Sequence, residues 1–279
     1  MPTRSNRVVT VLVVIAVSTL AACGTSSSGT SATTTSSPGG DHQTLTVMVT
    51  NDDGFGAPGI DAVVQGLRTL SGTRVTVVAP FTNQSGTGGR TTPSSAGALV
   101  TSTDQTASGY PATAVHGYPA DTVIWAIKDH GLSNRPDLVV SGINFGQNIG
   151  PLAAQSGTVG AAREAVSLGV PALAASQGVD DGSAPDFAEA VPIVESWVEQ
   201  HRAQLISRSY GSKPPQANLN VPTCAGAPVR GPVTTVLATS GDVGQTAQVD
   251  CTSTSTAYGN DLEAFEIGFA TLTPLYPPG

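Results

Sequence analysis

Apolar positions along the chain follow two rhythms. Leu45 to Thr50 (LTVMVT) and Val75 to Ala79 (VTVVA) are short, β-branched apolar runs. Between them Ile60, Val63, Val64, Leu67 and Leu70 fall at helical spacing, so the stretch predicts a strand, a helix and a strand. The alternation continues with a helix over about Asp121 to Lys128, a strand at Leu138 to Ser141, a helix over Gly157 to Leu168 and a strand at Ala172 to Ala175. A long helix near Asp186 to Gln204 and a strand at Asn218 to Val221 follow. Strands that are apolar throughout are buried on both faces, which predicts an α/β fold with a doubly wound, mainly parallel sheet over residues 45–221. From Pro222 the chain turns rich in Thr, Gly and Pro, with strand-like pieces at Val233 to Ala238 and Ala264 to Thr273. Residues 222–279 are therefore expected to form a β-rich C-terminal appendage.

The chain before Leu45 has neither rhythm. Arg4 and Arg7 precede an apolar run from Val8 to Leu20 that has signal-peptide length and is too short to span a bilayer well, so residues 1–22 read as an export signal. Leu20-Ala21-Ala22-Cys23 resembles the lipobox of bacterial lipoproteins, in which the Cys is acylated and becomes the mature N-terminus; an ordinary cleaved signal with an incidental Cys23 is the alternative. Residues 24–40 are 11 Ser/Thr, 4 Gly, one Ala and one Pro. Such a segment cannot bury enough apolar surface to offset its ordering entropy, so residues 23–44 are expected to be a lipidated Cys and a flexible tether reaching on the order of 20 Å. The protein is then anchored in the lipid bilayer through Cys23, at the outer face of the bacterial cell membrane.

Charge narrows the partners. The 279 residues carry 12 Lys+Arg against 20 Asp+Glu, a net charge of −8 that becomes −10 once residues 1–22, with Arg4 and Arg7, are removed. No basic cluster is present to displace counterions, which argues against a nucleic-acid duplex as partner. The same charge is repelled by an anionic membrane surface, so the lipid has to do the anchoring. Cys224 and Cys251 are an even pair in an exported chain, which suits a disulfide, with two separate buried thiols as the alternative. His42, His116, His130 and His201 are scattered, and no Cys has metal-site spacing, which argues against structural zinc.

Candidate chemistry lies where the strands end. Ligands of open α/β sheets bind beyond the carboxyl ends of the strands, and three predicted strands run into polar, Gly-containing segments there: Asn51-Asp52-Asp53-Gly54, Pro80 through Gly89, and Ser141-Gly142-Ile143-Asn144. Two carboxylates joined by a hydroxyl and an amide oxygen make an all-oxygen set suited to Mg²⁺, Mn²⁺ or Ca²⁺; Asn-Asp-Asp-Gly alone also reads as a plain turn. Gln155-Ser156-Gly157-Thr158 opens a predicted helix, where free N–H groups and hydroxyls suit an anion, or where Ser156 is simply an N-cap. His116 is a candidate acid by position only, beside the plainer reading of a strand-end histidine. The chain has no Walker A loop, no His-Glu-x-x-His zinc helix and no Gly-x-Ser-x-Gly elbow.

In order along the chain stand Asn51-Asp52-Asp53-Gly54-Phe55-Gly56-Ala57-Pro58-Gly59-Ile60, Val78-Ala79-Pro80 with Asn83-Gln84-Ser85-Gly86, Gly117-Tyr118-Pro119-Ala120-Asp121, Pro136 to Asn144 with Gly146 and Asn148, and Ser156-Gly157-Thr158-Val159. With Leu272-Thr273-Pro274-Leu275, these blocks resemble the SurE family of survival-protein phosphatases over about residues 45–275. The resemblance implies a Rossmann-like body and a metal-dependent phosphomonoesterase acting on nucleoside 5′- and 3′-monophosphates, in some members also on short polyphosphate. It implies one divalent cation per subunit, Mg²⁺ or Mn²⁺ with Ca²⁺ as a further occupant, and a homodimer or homotetramer formed through the C-terminal arm.

By the same resemblance Asp52, Asp53, Ser85 and Asn144 are the metal ligands, Asp52 and Asp53 are the catalytic carboxylates, and Asn148, Ser156, Gly157 and Thr158 line the phosphate site. Whether an aspartate attacks or serves as general base stays open at this level. The chain departs from the family at Phe81 and Gln84, where an acid and a base flank the loop Asn, and at Tyr118, where the family has Thr. These positions border the leaving group and so bear on substrate preference. A non-catalytic surface lipoprotein that captures nucleotides or phosphate is the rival reading.

Overall fold

In the computed structural model, residues 44–179, 187–224, 226–241 and 249–276 are described. The export signal, the lipobox with Cys23 and the tether up to residue 43 lie outside the described residues, as do Asp186 and His42. Leu45–Thr50 (β1), Pro58–Thr69 (α1) and Thr73–Pro80 (β2) form the predicted opening unit. They are followed by Thr101–Gln105 (β3), Pro111–Val115 (β4), Pro119–Ile127 (α2), Leu138–Phe145 (β5), Gly157–Ser167 (α3) and Ala172–Gln177 (β6). Ala190–Ser207 (α4), Gln216–Val221 (β7), Arg230–Thr234 (β8), Asp261–Glu266 (α5) and Phe269–Thr273 (β9) complete the order.

All nine described strands share one sheet, in the order β3-β4-β2-β1-β5-β6-β7-β9-β8. From β4 to β7 every pairing is parallel, and antiparallel pairs occur at β3–β4 and β7–β9. The β1 residues show how the sheet is covered on both faces. Leu45, Val47 and Val49 pack with Ile60, Val64 and Leu67 of α1 and with Val194 and Val198 of α4. Met48, one residue out of phase, packs on the other face with Val123 of α2 and Val159 and Ala162 of α3. Alternate side chains of one strand thus feed two cores, which is why the strands read as continuous apolar runs.

Two stretches differ from the sequence expectation. The hairpin β3–β4 carries little apolar signal, because β3 is an edge strand whose residues are exposed or half-buried throughout. In the C-terminal stretch, the strand expected at Val233 to Ala238 is instead Arg230–Thr234, Ala264 to Glu266 belong to a helix, and only Phe269 onward is strand. Asn260 caps that helix by accepting the Glu263 N–H at 3.1 Å, and Gly268, at φ +84°, breaks the chain before β9. The C-terminal strands extend the main sheet through the β7–β9 pair. Cys224 and Cys251 are joined by a disulfide with Cα atoms 5.7 Å apart, tying the end of the β7 segment to the chain just before α5.

Candidate active site

β1 pairs with β2 on one side and β5 on the other, so the chain turns both ways from β1, and a crevice opens beyond the carboxyl ends of β1 and β5. Asp52 and Asp53 stand there, directly after β1, with Asp52 2% exposed. Loops from the neighbouring strands are tied to them. The Gln84 N–H donates to the Asp52 carbonyl at 2.7 Å, and the Phe55 N–H donates to the Pro80 carbonyl at 3.0 Å. Asn83 Nδ2 reaches Asp53 Oδ1 at 3.3 Å while its own Oδ1 accepts the Ser85 N–H at 2.9 Å, so one side chain links Ser85 to Asp53. The Phe145 N–H donates to Asp53 Oδ2 at 3.1 Å, which brings the adjacent Asn144 to the same place.

Asn144 follows an irregularity in the β5–β6 register between Ser141 and Asn144. Gly142 makes the bend possible: its φ is +140°, and a Cβ there would collide with the Ala175 carbonyl oxygen. Asn144 then spends its amide hydrogens on the carbonyls of Phe145 and Gly146, at 3.2 and 2.7 Å. Its Oδ1 is left as the atom available to a cation.

The start of α3 closes the crevice. Ser156 Oγ accepts the Val159 N–H at 3.1 Å as an N-cap. Thr158 Oγ1 donates to Asp52 Oδ1 at 2.5 Å. Gly157 is required here, since a Cβ would stand 2.7 Å from the Asp52 Cβ. The Gly88 N–H donates to the Gln155 carbonyl at 2.9 Å and joins the β2 loop to the same helix start.

Asn148 sits one layer back. Its N–H donates to Asn220 Oδ1 at 2.6 Å, its carbonyl accepts from Asn218 and Asn220, and its Nδ2 donates to Ser176 Oγ at 2.9 Å. These three residues hold the loop between β5 and α3, and periodicity does not single them out. Their signal is polarity on the buried strands β6 and β7. The same loop is braced from the C-terminal segment by buried Asp261, which accepts the N–H groups of Gly150 and Ala238 at 2.9 and 2.7 Å.

Electrostatics set the two aspartates apart. Burial pushes the Asp52 carboxyl up from its ordinary value, against the Thr158 hydroxyl and the N–H groups of Thr158 and Gly157. Burial, helped by the charge of Asp52, raises Asp53 to about 6, against the Phe145 N–H and the Asn83 amide. Two adjacent, dehydrated carboxylates are short of positive charge, and the neutral oxygens beside them are hard donors. The residues therefore fit a divalent cation, and none of the candidate ligands is a His or Cys that would draw a softer one.

The family model "Survival protein SurE" matches residues 47–242. The chain belongs to the SurE family. It is 40% identical over 171 residues to the 5′-nucleotidase SurE of Methanopyrus kandleri, covering 57% of this chain and 61% of that protein. With the 5′-nucleotidase SurE of Laribacter hongkongensis it shares 34% identity over 244 residues, covering 83% of this chain and 92% of that protein. The crystal structure of SurE from Aquifex aeolicus superposes with a TM-score of 0.62 at 26% identity, covering 82% of this chain and 92% of that one. The mainly parallel sheet with helices on both faces is thus the SurE fold.

Proposed function

We propose that this SurE-family protein is a divalent-metal-dependent phosphomonoesterase that hydrolyses nucleoside 5′- and 3′-monophosphates at the outer face of the cell envelope. The observation that carries the proposal is the Asp52–Asp53 pair, dehydrated and set against the N-terminus of α3. Asp53, Asn144 Oδ1, Ser85 and Asp52 are the residues that would hold the cation. A divalent cation bound there supplies a Lewis acid for the phosphoryl oxygens and neutralises charge that a net-acidic protein would otherwise repel.

This chain's own residues do the rest. The Ser156 hydroxyl, at the positive end of α3, would donate to the anion and stabilise charge developing on its equatorial oxygens, while the Gly157 and Thr158 N–H groups hold Asp52. Thr158 anchors Asp52 Oδ1, and Asp52 Oδ2 lies against Gly157 at the same helix start. Asp52 is therefore the carboxylate nearest the phosphoryl group, placed to take the proton of the attacking water or to attack directly. Asp53, tied to the Phe145 N–H and to Asn83, serves as ligand.

Export and anchoring through Cys23 belong to the same proposal and are supported by the lipobox-like Leu20-Ala21-Ala22-Cys23 and by the Cys224–Cys251 disulfide, a bond suited to an oxidising compartment. A homodimer or homotetramer is part of it too. Cys23→Ser, compared with the parent chain for radiolabelled fatty-acid incorporation and release into the medium, tests the anchor, and light scattering tests assembly.

The deciding test is phosphate release by the purified chain from a panel of nucleoside monophosphates and short polyphosphate, with Mn²⁺ or Mg²⁺ and with EDTA. Cation-dependent release is the expected result. Nucleotide binding without release from any ester would make the protein a capture lipoprotein instead.

A further inference from the structure

A cavity of about 340 Å³ adjoins the proposed phosphate site, and nothing in the mechanism above uses it. Its walls include Phe81, Gln84, His116 and Tyr118. Gln84 fixes one rim beside the aspartates, through its N–H bond to the Asp52 carbonyl at 2.7 Å. Tyr118 fixes the other, because Pro119, next in the chain, has its Cγ 3.0 Å from where a Cβ on Gly157 would stand. The cavity therefore shares a border with both the carboxylate pair and the helix start.

Its surface chemistry is aromatic. Phe81 is 40% exposed, although a phenyl ring gains from leaving water. It stacks on His116, itself exposed, with centroids 4.2 Å apart and planes 21° from parallel. Phe55 backs it at 5.8 Å, tilted by 42°. Across the cavity the Arg90 guanidinium lies over the Tyr118 ring, 4.8 Å from its centroid. π-faces beside neutral hydrogen-bonding groups, within reach of an anion site, match a planar heterocycle attached to a phosphate ester.

We propose that Phe81 and His116 form a stacking shelf for the nucleobase of the substrate, which makes Phe81 a specificity-determining residue. The proposal rests on the nucleoside-monophosphate reading above and adds to it where the base lies.

The test compares kcat/KM for adenosine 5′-monophosphate with that for ribose 5-phosphate, which keeps sugar and phosphate but has no base. Phe81→Ala is expected to lower the ratio of the two about ten-fold, the scale of one lost base–aromatic stack, and Phe81→Trp to preserve it. A ratio in Phe81→Ala equal to that of the parent overturns the shelf; circular dichroism of the half-exposed variant checks that it has folded. Should neither ester release phosphate, the hydrolase reading fails by itself. The shelf is then read by calorimetric binding of adenosine: ten-fold weaker binding to Phe81→Ala upholds it, and equal or no binding overturns it.

Discussion

Strands β1 and β5 carry a carboxylate at each end of the sheet, and the two ends treat it in opposite ways. At the amino end, Asp137 accepts the Thr46 N–H at 2.9 Å and the Thr46 hydroxyl at 2.6 Å on one oxygen, and Arg208 Nε and Nη2 at 3.2 and 3.0 Å on the other. Both oxygens are occupied, and a formal countercharge is present. At the carboxyl end, Asp52 and Asp53 share a dehydrated crevice with no cationic side chain among their hydrogen-bond partners in the described residues, and both are harder to ionise for it. A saturated carboxylate is a clamp between strands. An under-compensated one stays in place because something else completes it, and the fold supplies that place at the β1–β5 switch.

Substitution should separate the two ends. Asp53→Asn is expected to cut phosphate release by about 1,000-fold or more, the scale of several kcal/mol of lost transition-state stabilisation, with little loss of stability in urea unfolding. Comparable loss of activity from Asp137→Asn would erase the distinction. Thr158→Val sharpens it from within the site. Losing one hydrogen bond to a charged group leaves Asp52 unanchored and should lower kcat about ten-fold, read under saturating cation and substrate.

Asp137→Asn itself should cost about 2 kcal/mol of unfolding free energy, by breaking charge-assisted bonds at a buried site, and leave kcat/KM within about two-fold. A further effect is in pH. Without divalent cations, Asp53 binds its proton more tightly folded than unfolded, so its contribution to stability is present below its ordinary 3.8 and lost as pH rises through about 6. In EDTA, the parent chain should lose stability over that window relative to Asp53→Asn. Added Mn²⁺ should restore it, and its apparent affinity should weaken below about pH 6.

Much of this was legible in the chain. Apolar runs marked β1, β2, β5, β6 and β7 because strands buried on both faces have no polar phase to obscure them. The missed elements failed for physical reasons. β3 and β4 meet at the sheet edge, where half the side chains see solvent and Thr, Asp and Gln serve as well as Val. The stretch Ala264–Thr273 alternates like a strand, yet Asn260 and Glu263, three residues apart, are a helix-start signature that decides its first part. Asn218, Asn220 and Ser176 read as strand polarity, and only the folded chain shows them gripping Asn148.

The sequence by itself determined the α/β class, the strand-end loops and the residue types able to meet a cation and a phosphate, because periodicity and donor chemistry are local properties. Which carboxylate is a clamp and which a ligand was decided only by tertiary structure, since Asp52, Asp53 and Asp137 are the same residue until burial and partners differ. So was the aromatic shelf. Phe55, Phe81 and His116 come from three different loops, and their rings meet only after the sheet has set the loops side by side.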